Sequence, residues 1–113
     1  MPTAKITENN VKLQVMEYLS HKPIRWWRNN VGAVRYGGRF VKFGENGSSD
    51  ILGYWKSGDH RGKIIALELK KPGWKESDLR PGQRAFIEEV LAAGGFAGIV
   101  ASIEDLEQVL AIQ

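Results

Sequence analysis

The sequence predicts an α/β (α+β) fold, a mixed sheet flanked by helices with its elements in the order α-β-β-β-α-β-α. Three observations carry this. Ile64-Ile65-Ala66-Leu67-Glu68-Leu69 runs without a break in β-branched and aliphatic character, and Pro72-Gly73 stops it. Its period of two puts Ile65, Leu67 and Leu69 on one face and Ile64, Ala66, Glu68 and Lys70 on the other. Apolar residues on both faces describe a central strand covered on both sides. Helical spacing then appears before this strand, in Val11, Val15 and Leu19, and after it, in Phe86, Ile87, Val90 and Leu91. Finally, residues 50–55 reach the central strand, 63–70, through a turn at 57–60. A connection that short makes the two strands antiparallel.

In chain order, Thr7 is a good N-cap for the first helix. Asn10 occupies the third helical position, where a capping box prefers Glu or Gln. Met16 widens the apolar stripe, and extending it back three residues from Val11 lands on Glu8. The helix thus aims Glu8 toward the side of its apolar residues, although an acid in the first turn also suits the helix dipole. His21-Lys22-Pro23 ends the helix. Residues 24–28 read as a strand, and 31–36 with 39–43 as a hairpin closed by Gly37-Gly38. Residues 44–49 form a loop that delivers the chain to Asp50. After the central strand, 74–80 is a polar loop and Pro81 suits the first position of a helix. In that helix Gln83 lies one turn before Ile87 and heads the same face. Gly94-Gly95 ends it, 96–101 is a short apolar strand, and 103–110 is a last helix with Ile103, Leu106 and Leu110 inward.

A length of 113 residues suits one domain, and 42% hydrophobic with 26% charged residues disfavours both disorder and membrane spanning. No apolar run reaches bilayer length, and Met1-Pro2-Thr3-Ala4-Lys5 lacks the apolar segment of a signal peptide. The expected location is the cytoplasm. Without cysteine there is no thiolate metal site, so oxygen ligands or His21 and His60 must hold any metal. Both histidines otherwise read as surface residues. The net charge of +3 is unevenly spread: no acid lies between Glu17 and Glu45, where Lys22, Arg25, Arg28, Arg35, Arg39 and Lys42 are interleaved with Trp26, Trp27, Tyr36 and Phe40. Cations for phosphates and rings for stacking describe a nucleic-acid surface. The other reading is a solvated hairpin whose rings are core. Candidate contacts are Arg25, Trp27, Arg28, Arg35, Arg39, Lys42 and Lys71, the last equally at home in a solvated loop.

The antiparallel pair has its open end at Asp50, which brings that residue near Glu68 and Lys70. A frayed strand end with a surface ion pair is one explanation of Glu68 and Lys70. The other is a divalent metal on Glu68, with Lys70 holding or activating water or phosphate beside it. Glu8, Asp50, Glu68, Lys70 and Gln83 come from a helix, two paired strands and a second helix, all facing one place. Acidic oxygens in that number favour Mg2+ or Mn2+ over zinc.

Asp50 followed by Glu68-Leu69-Lys70 resembles the PD-(D/E)xK nuclease superfamily. The fuller pattern of Glu8 on a helix, Asp50, Glu68-Leu69-Lys70-Lys71-Pro72-Gly73, helix-borne Gln83, then Gly95 and a short strand, resembles more narrowly a VRR-NUC domain. The resemblance spans Glu8 to about Leu110 and suggests a stand-alone domain of the kind carried by phages. It implies a restriction-endonuclease-like sheet, metal ligation by Asp50, Glu68, Leu69 and Glu8, catalysis by Lys70, and supporting roles for Gln83 and Glu8. It also implies Mg2+- or Mn2+-dependent hydrolysis of DNA, a homodimer, and branched substrates such as four-way (Holliday) junctions. Ser49 stands where the superfamily expects proline, which shapes the backbone there and is not a ligand. The leading expectation is an endonuclease. The alternatives are a non-catalytic DNA-binding module of the same fold and an assembly protein whose aromatic hairpin is a protein interface.

Overall fold

The computed structural model describes residues 5–111, so all but the last residue of the N-terminal tip read for a leader lies outside the described residues. The strands β1 (Ile24–Arg28), β4 (Ile51–Trp55), β5 (Ile64–Leu69) and β6 (Phe96–Val100) form one sheet in the order β1-β4-β5-β6. β1 with β4 and β4 with β5 are antiparallel, while β5 and β6 are parallel, so the sheet is mixed. A parallel pair needs a crossover, and α2 (Pro81–Ala92) supplies it. The two faces of β5 go to different partners, as its alternation requires. Ile65, Leu67 and Leu69 pack with Val11, Val15 and Leu19 of α1 (Glu8–Ser20) and with Leu106, Val109 and Leu110 of α3 (Ile103–Ala111). Ala66 meets Ile87 and Val90 of α2 on the other side. Helices on both faces of a mixed sheet give the restriction-endonuclease-like arrangement expected.

The order α-β-β-β-α-β-α describes this sheet and its helices but omits a second, two-stranded sheet. β2 (Gly32–Tyr36) and β3 (Arg39–Phe43) pair with each other alone among the described residues. The reason is that β1 and β4 pair directly, and the Asn29 N–H donates to the Asp50 carbonyl at 2.8 Å, so the chain between them leaves the sheet at its end.

Local details sharpen several expectations. Asn10 completes the capping box in place of Glu: its Oδ1 accepts the Thr7 N–H at 2.9 Å, and Thr7 Oγ1 accepts the Asn10 N–H at 3.1 Å. In α2 the buried stripe is Gln83, Ile87 and Val90; Leu91 faces solvent and Phe86 is half-buried, because the sheet covers a narrower stripe than the apolar pattern offers. In α3 Val109 is buried and Ile103 only partly so. The 74–80 segment is not all loop: a 3-10 turn, Glu76–Asp78, forms where the Asp78 carboxylate accepts the Lys75 N–H at 2.8 Å. His60 is half-buried, not the freely solvated residue expected. Its ring lies 4.8 Å from that of Phe96 and 5.8 Å from that of Trp55, whereas His21 stays exposed beside Glu17. Among the described residues no helix is long and apolar enough to cross a membrane.

Candidate active site

β4 and β5 pair Ile51 with Leu67, so the next position outward sets Asp50 opposite Glu68 on one face. Asp50 is oriented by backbone, since its Oδ2 accepts the Leu69 N–H at 2.7 Å. Glu68 is only 2% exposed. Its Oε1 accepts a 2.6 Å hydrogen bond from Gln83 Nε2, and its buried Oε2 has no hydrogen-bond partner among the described residues. Burial raises this carboxyl from the ordinary 4.5 to about 8, helped by the charge of Asp50, opposed by Lys70, and helped again by Glu8. A hydrogen bond with Asp50, open only to the protonated acid, pushes the same way.

Gln83 is itself fixed. Its Oε1 accepts the Arg80 N–H at 2.9 Å, which leaves the amide NH2 to face Glu68. Lys70 Nζ donates to the Asp78 carbonyl at 3.1 Å, near enough to Glu68 for its charge to be felt there. Glu8 is exposed and lines a cleft of about 300 Å³ with Asp50, Leu69, Lys12, Arg28 and Asn29. Among the described residues no three His, Cys, Asp or Glu side chains come together closely enough to hold an ion. Glu8 shares the cleft with Asp50, and its charge is felt at Glu68. Leu69 offers only a backbone carbonyl. Two opposed carboxyls with an orphaned buried oxygen nonetheless fit a hard divalent cation.

The basic residues divide by place. Arg28 lines the cleft, while Trp27, paired with Leu52, lies two positions along β1 from the site on the Asp50 face. Trp27 is 45% exposed and meets Tyr54 edge-on at 6.4 Å; Arg25, opposite Tyr54, shares that face. Arg35, Arg39 and Lys42 stand on the separate hairpin, and Lys71 on an exposed loop.

Sequence reasoning missed Asn29 and Arg80. Asn29 Nδ2 donates to Ser48 Oγ at 2.5 Å and to the Ser49 carbonyl at 2.9 Å, clasping the loop that precedes Asp50. Nothing in Asn29-Asn30 distinguishes it from ordinary loop. Arg80 lines a recess of about 180 Å³ with Asn29 and Asp50. Ser49, in the place expected of proline, is buried. Comparison of the chain with protein-family models, curated proteins and solved structures finds no match.

Proposed function

We propose that this chain is a metal-dependent endonuclease of the VRR-NUC type, within the PD-(D/E)xK superfamily, hydrolysing phosphodiester bonds of branched DNA such as four-way junctions. The observation that carries the reading is the Asp50 and Glu68 pair, with one buried Glu68 oxygen lacking a hydrogen bond and a carboxyl held neutral to about pH 8. With no protein donor in reach, that oxygen is satisfied either by the proton the acid shares with Asp50 or, once the acid ionises, by a cation. Asp50 and Glu68, with the Leu69 carbonyl, would hold Mg2+ or Mn2+. Such an ion, when bound, supplies charge against phosphodiester oxygens and acidifies its water.

The chain's own residues do the rest. Lys70 brings an ammonium beside Glu68, and its partner is the exposed, neutral Asp78 carbonyl, which a phosphate oxygen can replace. Gln83 is a positioning residue that holds Glu68 through its fixed amide. Lys12 and Arg28 line the cleft with positive charge for neighbouring phosphates. A non-catalytic DNA-binding module draws support from the absence, among the described residues, of a three-side-chain ligand group.

One experiment separates the two. Wild type and Asp50→Ala are incubated with labelled linear, flapped and four-way DNA in Mg2+, Mn2+ or EDTA. The endonuclease reading expects metal-dependent cutting of a branched form by wild type, and binding without cutting by Asp50→Ala. Wild type that binds every form and nicks none would move the conclusion to the non-catalytic module. A homodimer goes with the reading, since paired cuts across a junction are most simply made by two copies, and sedimentation under cleavage conditions checks it. The absence of cysteine suits the cytoplasm as its place of work, that of the host cell where a phage supplies the chain.

A further inference from the structure

β2 and β3 form a ribbon whose two arms leave the body at the end of the sheet that carries Asp50. Cross-strand partners share a face, so the register splits the ribbon in two. Arg35 with Phe40 and Ala33 with Lys42 lie on one face; Val34 with Val41 and Tyr36 with Arg39 lie on the other. All of these side chains are exposed.

We propose that the Arg35, Phe40 and Lys42 face docks in the groove of a duplex DNA arm adjoining the cut, and that Arg39, on the opposite face, takes no part. This rests on the DNA-cutting reading above and names how that substrate is gripped. Charge selects the occupant: the chain has no acid between Glu17 and Glu45, and a second copy on this face would set Arg35 and Lys42 against their own like charges. Shape agrees, because each arm of five residues spans about 17 Å, roughly five base pairs, and the major groove admits a two-stranded ribbon. Positive φ angles of 56° and 79° at Gly37 and Gly38 close the ribbon in a two-residue turn, which keeps its tip narrow. The Arg35 guanidinium already lies 4.9 Å over the Phe40 ring, so it meets phosphate with part of its ordering complete.

The test compares three substitutions that remove the same charge. Arg35→Ala, Lys42→Ala and Arg39→Ala are made in the Asp50→Ala protein, and binding to duplex, four-way and single-stranded DNA is followed by fluorescence anisotropy across a salt series in EDTA. For duplex and junction, Arg35→Ala and Lys42→Ala should each lower the salt slope by roughly 0.9, which corresponds to about eightfold weaker binding at about 0.1 M salt. Arg39→Ala should change neither. Equal losses for all three, no loss for any, or losses as large on single strands would overturn the proposal. So would a dimer split by Val41→Lys whose DNA affinity ignores Arg35 and Lys42, since the ribbon would then be a protein interface. Wild type that binds these DNA forms and cuts none of them sinks the endonuclease reading and leaves these binding results standing, so the two failures are distinguishable.

Discussion

Glu68→Gln is expected to stabilise the metal-free protein at alkaline pH and, if the chain is the proposed endonuclease, to remove metal-dependent cutting. The two effects have one cause, a carboxyl that burial and the Asp50 charge keep protonated to about pH 8. Unfolded, the same group ionises near 4.5. Between those values the unfolded chain holds fewer protons than the folded one, so stability falls as pH rises; above about 8 the penalty is complete. Glutamine keeps the shape and never ionises. The variant should match wild type below about 4.5 and exceed it above about 8, by on the order of 5 kcal/mol. Cutting should fall on the order of a thousandfold, because an amide cannot supply the charge that holds the ion. Thermal unfolding in EDTA across pH, beside cleavage of junction DNA, reads both. A variant no more stable than wild type at high pH, or one that still cuts, contradicts the account.

The second large effect is expected at Gly53→Ala. Gly53 sits in β4 between Trp26 of β1 and Ile65 of β5, and an added Cβ would run into the Arg25 carbonyl and come within 3.1 Å of the Trp26 Cα. Backbone cannot yield there without opening the β1–β4 ladder, so a loss of about 3 kcal/mol or more is expected. β1 leads into Asn29, which clasps the loop ahead of Asp50, so cutting should fall together with the urea midpoint. Gly82→Ala is the control: its Cβ would have nothing nearer than the Gly47 Cα at 3.4 Å, and it should be close to neutral. A Gly53→Ala protein with an unchanged midpoint would show that the ladder is not the constraint.

How much of this was legible in the chain follows from the range of each determinant. The faces of β5 and the meeting of Asp50 with Glu68 depend on a period of two and one short turn, both local, so they could be read. Gln83 on the inner face of α2 follows from helical period in the same way. The hairpin of β2 and β3 could be read from its glycine turn, but its detachment from the main sheet could not, because strand propensity says nothing about which neighbours a hairpin joins. The outward turn of Leu91 and the burial of Val109 depend on how wide a stripe the sheet covers. Asn29 acts on residues 19 and 20 positions away, and His60 is half-covered by rings from two strands. Glu8 shows the limit most clearly. Helical period gave its face but not its depth: the first turn ends at the surface, so Glu8 is exposed and lines the cleft with Asp50.

The central claim is that Asp50 and Glu68 exchange a shared proton for a divalent cation. Calorimetric titration of the protein with Mn2+ at about pH 7, in two buffers with different ionisation heats, counts the protons displaced on binding. The account predicts about one proton released per ion by wild type and none with Glu68→Gln. Mn2+ binding to wild type with no proton released, or the same release from the variant, would contradict it.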